Sequence, residues 1–133
     1  MQGQRISSGS SYEALAGFSR AVIEGNRIHV SGTTGFDYAT MTIDPDPVAQ
    51  ARQCFRNIEA VLRRAGASLA DVIRVRYLLA EAALFEQLAP VFAEYLGPAS
   101  PAATAMVVGL IDPRMRIEIE VTAVRTDPGT YSA

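Results

Sequence analysis

The chain has 133 residues, of which 49% are hydrophobic and 20% charged. A formal net charge of −2 argues against broad binding to nucleic acid or to an anionic membrane surface. All apolar runs are short and interrupted, which predicts no membrane span. The first eight residues contain no apolar signal core, and a single cysteine, Cys54, cannot form an internal disulfide. We therefore expect one domain over residues 1–133 in a reducing, cytoplasmic setting.

The first part of the chain is predicted to be a peripheral arm followed by two strands. Residues 1–11 are rich in Ser and Gly, which is typical of a loose or peripherally packed arm. Strands are predicted over residues 18–24 and 27–33, joined at Gly25-Asn26, a dipeptide that favours positive φ and a tight turn. Apolar and polar residues alternate in the second strand, so one of its faces should be buried. A loop over residues 36–43 follows, with room for a short strand.

Two helices and three further strands are predicted in the rest of the chain. Asp46 followed by Pro47 is typical of a helix start, with Asp as the N-cap and Pro in the first turn. Apolar residues then recur with helical periodicity, and Gly66 ends this amphipathic helix. The remaining predictions are a strand over residues 72–79, a helix over about 82–96, a closing hairpin of strands 102–110 and 115–125, and a polar tail at 126–133.

The order ββ(β)αβαββ predicts an α+β fold, a two-layer sandwich of a mixed sheet with two helices on one face. Two helices can cover only one face of such a sheet. The other face is expected to carry Ala103, Ala105, Val107 and Gly109 or their neighbours, which are apolar and costly to leave in water. We therefore expect this face to close against other subunits.

Five segments of the chain match one family pattern in order and spacing. They are Gly-Phe-Ser-Arg-Ala-Val at 17–22, Val-Ser-Gly at 30–32, the helical stretch 49–66, Pro-Ala-Ala-Thr at 101–104 and Ile-Glu-Ile-Glu at 117–120. Together they resemble the reactive intermediate deaminase (RidA/YjgF) family, also described as endoribonuclease L-PSP. The resemblance covers residues 18–124. It implies a homotrimer of chorismate-mutase-like subunits, with small-molecule clefts between neighbouring chains and no cofactor.

Most residues that carry the chemistry of that family are replaced in this chain. In deaminating members, an arginine of the penultimate strand binds the substrate carboxylate while water attacks an imine or enamine. The resemblance places that arginine on Ala103, a nearby cysteine on Ala105, the strand-one tyrosine on Phe18 and a helix-two asparagine on Ala89. The retained residues are Gly32, Thr104 and Glu120. A methyl group cannot bind a carboxylate as a guanidinium does, which argues against 2-aminoacrylate-type hydrolysis by the usual route.

Other side chains could restore a polar site. Arg20 lies two residues after Phe18, so strand periodicity places both on the same face, and Arg20 is the preferred replacement cation. Arg76 and Arg116 are further candidates, and each of the three could instead form a rim or intersubunit ion pair. Glu120 could hold or deprotonate a water. Alternatively, Glu120 is a structural carboxylate at the seam between subunits.

The loop after the second strand supplies the remaining candidate contacts. These are Thr33, Thr34, Asp37 and Tyr38, because loops over a cleft commonly contact ligands. The same residues can equally serve turn formation. Tyr38 could supply the phenol that Phe18 lacks. No set of His, Cys or acidic residues has the spacing of a metal site.

Three functions are therefore open. The first is a hydrolase or deaminase of small imine-, enamine- or carbonyl-containing metabolites, favoured by the retained Gly32 and Glu120. The second is a non-catalytic small-ligand binding or sensing trimer, favoured by the loss of four polar site positions. The third, an endoribonuclease, follows only from the older family label. One histidine and an acidic balance disfavour it, since RNA cleavage needs an acid–base pair and phosphate-binding cations.

Overall fold

The computed structural model describes residues 3–125 as a sheet whose two long helices pack on one face. The strands are β1 (Gln4–Ile6), β2 (Ala21–Glu24), β3 (Arg27–Thr34), β4 (Phe36–Asp37), β5 (Thr42–Ile43), β6 (Val72–Leu79), β7 (Ala102–Val107) and β8 (Ile117–Val124). The helices are α1 (Ser11–Ala16), α2 (Pro47–Arg64) and α3 (Leu84–Leu96). Six strands form one sheet in the order β1-β2-β3-β8-β6-β7, and β4 pairs with β5 alone. The predicted α+β class is confirmed.

Helix α2 begins and ends where its sequence signals predicted. The Asp46 side chain accepts a hydrogen bond from the Ala49 N–H at 2.9 Å, and Pro47 occupies the first turn. The helix stops before Gly66, whose φ of 77° lies in the left-handed region that favours glycine. Its apolar side buries Ala51, Cys54, Phe55, Ile58, Val61 and Leu62 against the sheet. The α2 packing therefore fixes the helical layer of the sandwich.

The strand order corrects the predicted closing hairpin. β8 lies between β3 and β6 and is antiparallel to both, whereas β7 is parallel to β6 at the edge of the sheet. Helix α3 connects β6 to β7, and a helical crossover is what a parallel pair of strands requires. β8 alternates buried and half-buried residues along its whole length, and two strand neighbours satisfy its backbone. Adjacency in the chain therefore did not give adjacency in the sheet.

The sheet face without helices is also different from the one predicted. Ala103 and Ala105 are in register with Val75 and Tyr77, whose side chains are buried in the core with the helices. Neighbouring residues in register share a face, so Ala103 and Ala105 lie on the helix side. The uncovered face instead carries Arg74, Arg76, Glu118, Glu120 and Thr122. Ala103, Ala105 and Val107 are therefore not on the uncovered face, whereas their neighbours Ala102, Thr104 and Met106, the other predicted set, are in register with Arg74, Arg76 and Leu78 and lie on it. With these arginines and glutamates the face is more polar than predicted.

The N-terminal segment is more ordered than its composition suggested. Residues 4–6 of the predicted arm form β1, which pairs with β2, and Ile6 is buried. Ser10 caps α1 by accepting from the Tyr12 N–H, and Gly17 ends the helix at a φ of 75°. The predicted strand at 18–24 begins only at Ala21. The predicted polar tail at 126–133 lies outside the described residues.

No helix within residues 3–125 is long and apolar enough to cross a bilayer.

Candidate functional site

A cavity of about 380 Å³ opens between α1, β3 and β8. Its lining consists of Tyr12, Leu15, Ala16, Phe18, Arg20, Gly32, Thr34, Tyr38, Ile111, Met115 and Glu118, and we call it the glutamate cavity. The walls are mainly apolar, and the lining includes two charged side chains, Arg20 and Glu118. A concave, mostly apolar space with a few polar groups is the usual form of a small-molecule site.

Arg20 is held in the wall of the cavity by a buried ion pair. Its Nε lies 3.3 Å from Oε2 of Glu13, and the two side chains are only 2% and 6% exposed. Two serines also donate to the Glu13 carboxylate: Ser7 Oγ at 2.9 Å, and Ser8 through both its N–H and its hydroxyl. Burial alone would raise the pKa of Glu13, but the hydrogen bonds from Ser8 and Ser7 and the charge of Arg20 lower it below its ordinary value. The charge of Arg20 is therefore compensated within the chain.

The rest of the Arg20 guanidinium is positioned by β3 and by two aromatic rings. Its Nη1 donates to the carbonyl of Gly32 and to Thr33 Oγ1 at 3.3 Å. The guanidinium carbon lies 4.7 Å from the ring centroid of Tyr38 and 5.6 Å from that of Phe18. These contacts fix one cation beside the cavity, at the position that strand periodicity had favoured.

Glu118 is the acidic group of the cavity. It is half-buried, and within residues 3–125 its carboxylate makes no hydrogen bond or ion pair. Burial raises its pKa above the ordinary 4.5; Arg20 opposes this, and Glu120 adds to it. A Cβ at position 32 would collide with the Glu118 carboxylate, so glycine there leaves the space that this carboxylate fills. Proton transfer suits an unpaired carboxyl group whose pKa is shifted toward neutrality.

Glu120, the predicted catalytic residue, is positioned differently. Its Oε1 lies 3.1 Å from Nη1 of Arg76, and the two side chains are 41% and 39% exposed. Arg76 and Glu120 are opposite each other in the β6–β8 register. Glu120 is not among the residues that line the glutamate cavity. A role for Glu120 in turnover stays a prediction, and the geometry favours Glu118 for that task.

The loop that follows β3 is anchored from two directions. The Thr34 N–H donates to the Tyr38 hydroxyl at 2.8 Å, and burial raises the pKa of that phenol. Asn57 of α2 donates to the carbonyls of Thr34 and Phe36 at 3.1 and 2.9 Å. At Gly35 the backbone passes so close to Gln50 that a Cβ would collide with it. The Tyr38 ring is thus a fixed part of the cavity wall.

A second concavity lies at the β7 edge, on the helix side of the sheet. It is lined by Tyr77, Phe85, Ala89, Phe92, Ala103, Thr104 and Ala105, and we call it the alanine shelf. Among the described residues 3–125, no charged residue lines the shelf, and none lines both the shelf and the glutamate cavity. The predicted contacts Ala103 and Thr104 are therefore separated, within one chain, from the predicted contacts Phe18, Arg20, Gly32 and Tyr38.

Of the other predicted contacts, Thr34 lines the glutamate cavity and Asp37 does not. Thr33 is buried and accepts a hydrogen bond from Arg20 without lining the cavity. Sequence reasoning missed Glu13 and Glu118. A signal for Glu13 was present, because Ser10 followed three residues later by Glu is the pattern of a capping box at a helix start. Among residues 3–125, no three His, Cys, Asp or Glu side chains lie together in a way that could hold a metal ion.

Comparison with known proteins agrees with this architecture. Residues 8–125 match the family model described as Endoribonuclease L-PSP. The chain is 32% identical to a 2-iminobutanoate/2-iminopropanoate deaminase of Bos taurus over 121 residues, which is 90% of this chain and 88% of the relative.

Two solved structures are similar over nearly their whole length. A member of the YjgF/YER057c/UK114 family from Mycobacterium tuberculosis is 37% identical, with a TM-score of 0.83 over 91% of this chain and 98% of its own. RidA from an Antarctic Psychrobacter is 33% identical, with a TM-score of 0.80 over 93% and 98%.

Proposed function

Because the chain belongs to the Endoribonuclease L-PSP (RidA/YjgF) family, we propose that it hydrolyses the C=N bond of a small imine or enamine-derived metabolite, with Glu118 as the acid–base group. The observation that carries the proposal is the half-buried, unpaired Glu118 carboxylate in a mainly apolar cavity, with a raised pKa. A general base must be able to give up and take back a proton near the working pH.

The proposed reaction is hydrolysis of the C=N bond, which consumes one water molecule. Water attacks the imine carbon as the Glu118 carboxylate accepts one of its protons, and the C=N π electrons move to nitrogen. Return of that proton to nitrogen gives a carbinolamine. Transfer of its hydroxyl proton to the amino nitrogen, by way of the Glu118 carboxylate, then lets the C–N bond break and releases a carbonyl compound and ammonia. Buried Arg20 beside the carboxylate favours its ionised form and restrains the upward shift of its pKa.

We further propose that the complete cleft is formed between chains of a homotrimer. In one chain the glutamate cavity and the alanine shelf are separate, and each is open. All six residues of β7 are exposed, and the strand is uncharged. An exposed, uncharged edge strand is prone to association unless another surface covers it. Docking the shelf of one chain over the glutamate cavity of the next would close both.

The bovine relative is named for 2-imino acids, which carry a carboxylate. In this chain the position expected for the carboxylate-binding arginine is Ala103, on a shelf without any charged residue. That observation favours the second candidate function, a non-catalytic small-ligand binding protein on the same scaffold.

Imine turnover separates the two functions. Two imines should be generated in situ: 2-iminobutanoate from threonine by threonine dehydratase, and benzylimine from benzylamine by a flavin amine oxidase. Ammonia release is then followed for the wild type, Glu118→Gln and the matched control Glu120→Gln. The catalytic proposal predicts that Glu118→Gln lowers turnover by about 100-fold or more, while Glu120→Gln changes it by less than about threefold. Turnover by the wild type that Glu118→Gln leaves intact would contradict the role of Glu118. Absence of any acceleration by the wild type would favour the binding protein.

A further inference from the structure

We infer that the glutamate cavity selects a small apolar molecule that carries an amine or imine nitrogen and no carboxylate. The inference rests on the proposed function only in taking this cavity as the ligand site. It names the chemical class of the ligand and departs from the 2-imino acids after which the bovine relative is named.

The charges that line the cavity favour a cationic group on the ligand. The buried positive charge of Arg20 is matched by Glu13 at 3.3 Å. The Glu118 carboxylate in the same lining has no ion-pair partner within residues 3–125. The charge left over at the cavity is therefore negative. A ligand carboxylate would meet a like charge at short range, whereas an ammonium or iminium would form a charge-assisted hydrogen bond.

The geometry of Arg20 supports the same conclusion. A carboxylate is bound best by the two parallel N–H groups of a guanidinium fork. Here Nε is directed at Glu13, and Nη1 at the Gly32 carbonyl and Thr33 Oγ1. Only Nη2 has no protein partner within the described chain, which leaves the two N–H groups of one nitrogen for the ligand. Arg20 can thus donate to the ligand from one nitrogen, but it cannot offer the parallel N–H groups of two nitrogens that form a fork.

The apolar walls of the cavity indicate that the rest of the ligand is apolar. The apolar lining includes Tyr12, Leu15, Phe18, Ile111 and Met115. Leu15 and Ile111 are 83% and 84% exposed, although both border the cavity. An apolar body would cover this surface, and aromatic faces also attract a bound cation. The volume of about 380 Å³ lies at the small end of ligand sites.

The neighbouring chain of the proposed trimer would not reverse this preference. The alanine shelf that would close the cleft contributes aromatic rings, three alanines and Thr104, and no charged residue. A shared cleft would therefore keep its net negative charge and gain further apolar wall.

Calorimetry on the full chain tests the inference with three probes of similar shape. Benzylamine is cationic, benzyl alcohol is neutral and phenylacetate is anionic at pH 7.5. We expect benzylamine to bind at least about tenfold more tightly than phenylacetate, with benzyl alcohol between them. Glu118→Gln should reduce this ratio to less than about threefold. Glu120→Gln, two residues away on the same strand face, should keep it.

The comparison of probes on the wild-type chain needs no variant and so remains decisive if Glu118→Gln alters folding or assembly. Phenylacetate binding as tight as benzylamine, a preference for amine that persists in Glu118→Gln, or no binding of any probe would each overturn the inference. Failure of the catalytic proposal looks different: imines are not hydrolysed, yet the amine preference stands. Conversely, Glu118-dependent hydrolysis without an amine preference would overturn only the ligand class.

Discussion

The glutamate cavity and the alanine shelf are two concave regions of similar size, about 380 and 370 Å³, that differ in chemistry. The first holds a buried cation and a carboxylate without a partner in the described part of the chain, and the second holds three alanines among aromatic rings. The family resemblance places a carboxylate-binding arginine, a cysteine and an asparagine on those alanines, Ala103, Ala105 and Ala89. If the proposed function holds, this chain has a carboxylate on one side of the cleft and lacks, on the other side, the charged group that would bind an anion.

The largest effect is expected at the ion pair that supports the glutamate cavity. Arg20→Ala would leave the Glu13 carboxylate, 6% exposed, without its cation. Breaking a buried pair on one side costs about 3–5 kcal/mol of unfolding free energy. The matched control is Arg76→Ala, whose pair with Glu120 is about 40% exposed and should cost less than about 1 kcal/mol. Urea unfolding at a fixed protein concentration measures both. Equal losses of unfolding free energy in the two variants would contradict a larger contribution from the buried ion pair than from the exposed one.

A second prediction concerns a variant that should weaken ligand binding in the glutamate cavity without preventing folding. Gly32→Ala introduces a Cβ where the Glu118 carboxylate now lies, and only the flexible end of that side chain has to move. Benzylamine binding should weaken by about tenfold or more, because the charge-assisted hydrogen bond is lost, while the chain still folds. Gly109→Ala is the control, since a Cβ there meets no atom within 4 Å. Neither glycine has a positive φ. Unchanged benzylamine affinity in Gly32→Ala would argue against Glu118 as the ligand contact.

The alanine shelf can be tested by restoring what it lacks. Ala103→Arg adds a guanidinium fork on an exposed position beside Phe85 and Phe92. Binding of small 2-oxo acids should tighten by about tenfold. Val107→Arg on the same strand face, outside the shelf, should give no such gain. Calorimetry that shows no difference between the two variants would mean that the shelf is not the anion-binding side of the cleft.

The smallest effect is a pH dependence of stability. The pKa of Glu118 is raised in the folded chain, so its ionised form costs folding free energy at pH values above that pKa. As pH falls through the folded pKa and then the ordinary 4.5, this cost disappears. Glu118→Gln should therefore unfold at a slightly higher temperature than the wild type at pH 7, with the difference lost at pH 4. A thermal shift of opposite sign at pH 7 would indicate that the ionised carboxylate has a stabilising partner.

Local signals predicted much of the fold. Asp46 with Pro47 marked the start of α2, Gly66 its end, and Gly25, with a φ of 61°, the tight turn between β2 and β3. Sheet order was not accessible in the same way, because it depends on pairing between residues distant in the chain. β8 pairs with β6 and with β3, and β3 ends more than 80 residues before β8 begins.

In the candidate site, too, local sequence patterns identified some residues, whereas others depended on pairing between distant strands. Strand periodicity selected Arg20 but could not choose between Glu118 and Glu120, which share a face of β8. The choice is made by register, since Arg76 lies opposite Glu120 whereas Thr34 of the cavity lining lies opposite Glu118. The partner of Arg20 was missed because Glu13 lies just beyond the Ser- and Gly-rich segment that had been assigned to a loose arm.

We propose that Glu118, whose carboxylate has no partner among residues 3–125, transfers protons and binds a nitrogen of the ligand. Carbon-13 NMR of the glutamate side chains, assigned by comparison with Glu118→Gln, measures its titration directly. The account predicts a midpoint above 4.5 in the free chain that moves downward in saturating benzylamine, because a bound cation favours the ionised form. A midpoint at or below 4.5 that does not respond to benzylamine would contradict it.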